Sequence, residues 1–176
     1  EAFEVVNNDK MRIRVRDKRE KLNVNAQSSF YTSGESFGKP KPLCVGQVFN
    51  ITPILTNAST HQYQVHDGQI NAISQVRDNG VSVSFTADLS AGTFALSSQP
   101  SGLITCDVQG AKPSGNYHVK TADIVEYLVK REALVSADLD AASFTAFNTK
   151  VPYTVGHYIP ARANLISVID KITLSS

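Results

Sequence analysis

Asn79-Gly80 is the feature that most restricts how this chain can fold. It stands between two β-patterned runs: Ile70, Ile73 and Val76 before it, and Val81, Val83 and Phe85 alternating with Ser82, Ser84 and Thr86 after it. Both residues of a tight hairpin turn must tolerate positive φ, which Asn and Gly do better than other residues. The spacing therefore predicts a hairpin closed at Asn79-Gly80. Two more turn signals have the same setting. Asp67-Gly68 follows Tyr63 and Val65, and Pro100-Ser101-Gly102 joins Phe94 and Leu96 to Ile104, Cys106 and Val108, so both are read as further hairpins. Upstream, Leu43 to Leu55 is nearly continuous in apolar and β-branched residues and is interrupted at Pro53, as expected of a buried strand that ends or bends there.

The period changes after Gly110. Ala111 to Gly115 reads as a loop, and from Thr121 the residues Ile124, Val125, Leu128 and Val129 share one face of a helix, with Glu126 and Lys130 paired one turn apart. Thr121 is the expected N-cap, and Asp123 suits the positive end of the helix dipole. A shorter helix is expected from about Asp140, packing Phe144 and Phe147. It is followed by a strand over Tyr153 to Ile159 and a last helix carrying Leu165, Ile166, Val168, Ile169 and Ile172, with Asn164 and Asp170 outward. The fold class is α+β, with a β-rich, hairpin-built barrel or sandwich in front and two to three short helices in the C-terminal part.

The 176 residues favour one domain or two small ones, and a chain of this size buries roughly 70% of its unfolded surface. Apolar residues are 41% and charged residues 19% of the chain, in the ordinary globular range. A formal charge of +1 gives no general reason to expect nucleic acid, and no apolar run is long enough for a membrane span. The chain begins at Glu1 and ends on Ser175-Ser176, and is read as a piece of a longer protein synthesised in a reducing compartment. Residues 1–38 form a basic strand and linker, and residues 39–176 the α+β domain.

Charge is concentrated in the first part. Lys10, Arg12, Arg14, Arg16, Lys18, Arg19 and Lys21 face only Asp17 and Glu20 in the same stretch, and Met11, Ile13 and Val15 alternate with Arg12, Arg14 and Arg16. One face of such a strand is apolar and the other a row of guanidinium groups. Arg12, Arg14 and Arg16 are therefore the candidate contacts for an anion or an acidic neighbouring subunit. The alternative is a solvated edge strand whose charges discourage pairing. Asn25 to Lys39, rich in Ser, Gly and Asn, reads as a loop.

No catalytic constellation emerges. Cys44 and Cys106 lack any metal or redox spacing and read as buried free thiols. His61, His66, His118 and His157 are scattered, and the spacing of His61 and His66 suits neither a helical nor a strand metal site. His66 beside Asp67 is a turn-flanking pair, since neighbours in a strand point to opposite faces. Asp138 and Asp140 invite a glycosidase or calcium reading but flank a helix start, where Asp caps. There is no nucleophile elbow, phosphate loop or dinucleotide fingerprint. The expectation is of no catalytic, cofactor-binding or metal-binding residue, no cofactor, and no enzymatic activity.

Several short patterns recur in a fixed order: Lys39, Pro40, Lys41, Pro42, Gly46, Asn50 and Pro53; then Tyr63, Gln64, Val65, Asp67 and Gly68; then Asp78 to Val81. After these come Thr105, Asp107, Val108 and Gly110, the Ala-Asp-Ile helix, and Asp138, Asp140, Ser143 and Phe144. In order and spacing, residues 39 to 174 resemble the tail and baseplate proteins, tail-tip hub or fibre-attachment, of tailed bacteriophages and prophages. The resemblance implies a structural protein of the virion tail, made in the bacterial cytoplasm. It also implies contacts to other tail subunits or to further copies of itself, with the Pro, Gly and Asp positions as turn formers. The alternative is a carbohydrate- or cell-surface-binding module, or the remnant of a tail-associated hydrolase, for which eight Phe and six Tyr without Trp provide a poor sugar platform.

Overall fold

A computed structural model describes residues 2–7, 10–14 and 18–175, with side chains from Glu20 onward. An N-terminal pair, β1 (Ala2–Asn7) and β2 (Lys10–Arg14), is antiparallel. Nine strands follow in two antiparallel sheets, with three helices in the C-terminal part, so the fold is β-rich α+β. The first sheet has the order β11-β3-β10-β6-β7. Its members are β3 (Leu43–Ile51), β6 (Ile70–Asp78), β7 (Val81–Ser82), β10 (Ile104–Ala111) and β11 (Gly156–Ile159). The second has the order β4-β5-β9-β8, from β4 (Ile54–Asn57), β5 (Gln62–Gln64), β8 (Phe85–Asp88) and β9 (Thr93–Leu96).

The alternation in β3 divides the interior in two. Cys44 and Val48 point into a core shared by the two sheets with Val65, Ile73, Phe94 and Val108, while Leu43 and Val45 point the opposite way. There they meet α1 (Thr121–Glu132) through Ile124 and Leu128, and α3 (Leu165–Leu174) through Leu165, Val168 and Ile172. Periodicity locates α1 and α3 correctly, and Glu126 and Lys130 pair at 2.5 Å. Residues 25–39 form no regular element, yet Ala26 and Gln27 are buried, and Gln27 Nε2 donates to the carbonyls of Ile159 and Ala161.

The Asn79-Gly80 turn forms as expected, with φ of 49° and 83° and Asp78 opposite Val81. Three neighbouring expectations need correction. The run from Val81 to Phe85 does not continue as one strand: β7 ends at Ser82 and the chain enters the other sheet as β8. Pro100-Ser101-Gly102 does not close a hairpin, because β9 pairs with β5 and β8 while β10 pairs with β3 and β6. The Asp67-Gly68 turn likewise carries the chain from β5 in one sheet to β6 in the other. The reason is common to all three. The apolar faces of these strands address the same core between the sheets, so alternation is satisfied equally by a hairpin partner or by a strand across the sandwich. Pro53 does mark the bend expected of it, and the bend is the passage from β3 to β4.

The helix termini also differ in part. Thr121 is not the N-cap of α1. Lys120 occupies that place without a side-chain cap, held by a bridge to Thr154, and Thr121 is buried with its hydroxyl unpartnered. Capping comes from α2 (Ala141–Lys150), whose Asn148 accepts the Ala122 N–H at 3.2 Å and donates to Asp123 at 2.6 Å. Asp140 caps α2 as expected, but α2 buries none of its residues, and Phe147 stays 40% exposed. The expected strand over Tyr153 to Ile159 is limited to Gly156–Ile159, and Asn164 caps α3 by accepting the Ile166 N–H.

Candidate functional site

The guanidinium row is the first candidate. Arg12 and Arg14 lie in β2, opposite Glu4 and Ala2 of β1, so the backbone register places both on one face of the pair. Arg16, and the side chains of Arg12 and Arg14, fall outside the described residues.

The other sequence candidates have structural partners. Cys44 and Cys106 are free and fully buried, and burial pushes both thiols up, Cys106 to about 12. Asp140 accepts from the Ala142 N–H at 3.1 Å and the Ser143 hydroxyl at 2.5 Å, while Asp138 lies 3.5 Å from the Lys21 ammonium. Among the described residues no three His, Cys, Asp or Glu side chains converge as a metal site.

What the structure does assemble is a cluster around His66 and Asp67, two residues that sequence reasoning set aside. His66 is 1% exposed where the chain leaves β5 for β6. Its Nδ1 accepts the backbone N–H of Cys44 at 3.0 Å, which places the ring proton on Nε2. Nε2 faces the Tyr127 hydroxyl at 3.4 Å, and the same hydroxyl receives Arg131 Nη1 at 3.2 Å. Arg131 reaches further: Nη1 donates to the Asp67 carbonyl at 3.1 Å, Nη2 to Asp67 Oδ2 at 2.5 Å, and Nε to Glu132 at 2.8 Å. Lys41 completes the set, 3.5 Å from Asp67 Oδ1.

The electrostatics follow from burial and these neighbours. Burial, aided by the nearby Arg131 charge and opposed by Asp67, lowers His66 to about 4 and keeps the imidazole neutral. Burial pushes the Asp67 carboxyl up, but the Ser29 hydroxyl, Arg131 and Lys41 outweigh it and hold it below its usual value. Burial raises Tyr127 against the opposing Arg131 charge. Asp67 does not orient His66 as a base, because a main-chain N–H already occupies Nδ1. Tyr127 and Arg131 sit four apart in α1, a spacing that puts them on one helix face. That same-face spacing is the one signal by which the sequence could have shown them.

One recess borders this region, and a second lies away from it between the helices. One, of about 530 Å³, runs beside Tyr127 and is lined by Asn116, His118, Asp123, Glu126 and Lys130. His118 stacks against Tyr127 with ring centres 6.3 Å apart. The other, of about 230 Å³, lies between the helices against Ala122, Val125, Phe144 and Phe147, and is almost wholly apolar. The chain matches no protein-family model, no curated protein and no solved structure.

Proposed function

We propose that this chain is a structural component of a phage or prophage tail, at the tail tip or baseplate, working through subunit-to-subunit contacts and turning over no substrate. One observation carries this reading: the residues on which the resemblance rests are committed to the path of the chain. Gly46 has φ 64°, and a Cβ there would lie 1.8 Å from the Val155 carbonyl oxygen. Asn50, at φ 53°, donates its N–H to Asp107 at 2.8 Å, and Asp107 also binds Arg77 through both carboxylate oxygens. Asp67 ties the strands to α1, and Asp78 accepts the Ser101 N–H and hydroxyl at the crossing between sheets. Gly110 passes so close to the Cys44 carbonyl that a Cβ would lie 2.3 Å from its oxygen. A sequence pattern made of such positions preserves a frame on which surfaces are presented.

Immunogold electron microscopy of purified particles, with an antibody against this chain, tests the reading directly. Label at the distal end of tails is the expected result; unlabelled particles with the protein free in the lysate would overturn it. Arg12, Arg14 and Arg16 are assigned contact with an acidic neighbouring subunit, and charge reversal of all three is expected to lower particle assembly and infectivity. A second reading, a glycan- or cell-surface-binding module, draws on the polar recess in which Tyr127 and His118 stack. Reproducible glycan retention or peptidoglycan cleavage by the chain would favour that reading over the architectural one.

A further inference from the structure

Residues 29–41 form a loop whose own backbone closes it. Lys41 donates its N–H to the Ser29 carbonyl at 2.9 Å, Tyr31 to Lys39 at 3.0 Å, Gly38 back to Tyr31 at 2.9 Å, and Phe37 to Gly34 at 3.1 Å. Gly34 and Gly38 supply the tight corners, with φ of 80° and 76°. The tip is fastened to β4, at the edge of the second sheet. Ser36 donates its hydroxyl to the Leu55 carbonyl, and Gly34 lies so near Thr56 that a Cβ would stand 2.7 Å from the Thr56 oxygen. On this frame Phe37 is 72% exposed, the most open aromatic ring among the described residues. Single exposed apolar residues are ordinary. A ring carried on a fixed backbone, however, loses little freedom when a partner covers it, which is the property of an interface anchor.

The same chain carries a recess of matching size and chemistry. The one of about 230 Å³ is walled by Ala122 and Val125 of α1 and by Phe144 and Phe147 of α2, and α2 buries none of its residues. An apolar cavity of about 150 Å³ already takes a benzene ring, so this one accommodates the benzyl group of a phenylalanine. Charge extends the match. Asp140 precedes the apolar wall of α2 and Lys150 ends it, both exposed, so a carboxylate and an ammonium stand at its two ends. Glu35 and Lys39 stand on either side of Phe37, both exposed, and neither they nor Lys150 has an ion-pair partner among the described residues. Phe37 is held at the second sheet, whereas the recess lies in the helical layer beyond the first, so the ring does not reach the recess of its own chain.

We propose that Phe37 of one copy of this chain inserts into the recess between α1 and α2 of a second copy, with Glu35 set against Lys150 and Lys39 against Asp140. Ring and recess are different surfaces, so the contact is heterologous. Each copy offers both halves, and copies add head to tail into a closed ring or an open row. The flanking charges fix the direction in which the loop lies along α2, because the reverse direction would set Glu35 against Asp140 and Lys39 against Lys150. This contact gives the assembly role proposed above a surface and relies on that role only for its biological setting.

Sedimentation of the unmodified chain at high micromolar concentration is expected to show a mass that rises with concentration past that of a dimer. Phe37→Ser and Phe147→Lys change exposed side chains, so both keep the circular dichroism spectrum, and each is expected to weaken association by at least about tenfold. Mixing the two is the decisive experiment. Together they hold one intact ring and one intact recess, so the mixture is expected to form a dimer and nothing larger. Glu35→Lys is expected to weaken association, and Lys150→Glu in the same chain to restore it. Under mild oxidation Lys39→Cys with Ser143→Cys is expected to give a ladder of covalent oligomers, whereas Lys39→Cys with Ser97→Cys does not, Cys44 and Cys106 being buried. An unmodified chain that stays monomeric, an association unmoved by Phe37→Ser, which would give the recess another occupant, or variants that fail to pair when mixed overturn the proposal. Each of these results leaves the tail assignment to the particle-labelling experiment, which reads independently.

Discussion

His66 Nδ1 lies 3.0 Å from the backbone nitrogen of Cys44 and accepts its proton, across 22 positions of sequence. The bond requires a neutral imidazole, since a proton on Nδ1 would set two N–H groups against each other. With Arg131 also nearby, the ring titrates at about 4 instead of its ordinary 6.5. The unfolded chain therefore binds the proton more readily, and the contribution of His66 is complete above 6.5 and is lost as pH falls toward 4. Unfolding free energy in urea is expected to decline by about 3 kcal/mol over that interval. His66→Gln keeps an acceptor without a titration and should flatten the decline. An equally steep decline in the variant would assign acid sensitivity to other groups.

Arg131 joins α1 to the turn before β6 through Asp67, Tyr127 and Glu132 together. Arg131→Met is expected to cost about 2 to 3 kcal/mol, because Asp67 loses a charged partner while only 16% exposed. Arg131→Lys should recover only a fraction, since one ammonium cannot span donors that a planar guanidinium directs to three residues. Thermal midpoints of the two variants measure the difference.

Gly46 pairs with Gly156 at the start of β11. Gly46→Ala places a methyl 1.8 Å from the Val155 carbonyl oxygen and adds the strain of φ 64°. The expected loss is about 3 kcal/mol or more. Hydrogen exchange should localise it, with the amides of residues 156–159 losing protection before those of β6 and β10.

Asn79 combines a left-handed backbone with a side chain that accepts the Leu103 N–H at 3.0 Å. Asn79→Ala loses both and is expected to cost about 1 to 2 kcal/mol, whereas Asn79→Gly keeps the backbone freedom and loses only the bond. Urea unfolding of the pair separates the two contributions; equal losses would mean that the turn geometry contributes nothing.

The identity of the local elements could be read from the chain. Asn79-Gly80 closes its turn, Asp140 caps α2, and the apolar faces of α1 and α3 point inward, because each depends on residues within a few positions of one another. Which sheet a strand joins could not be read that way. Phe94 and Ile104 serve one core from opposite sheets, and the passage between them is held by Asp78 gripping Ser101, 23 positions away. The same limit hid the cluster at His66, whose members come from the turn before β6, from β3 and from α1. Local sequence determined turns, caps and amphipathic faces through backbone preference and periodicity. Tertiary structure alone decided the strand partners and the long-range ties of Asp67 and Asp107, since those depend on which distant segments satisfy the same buried groups.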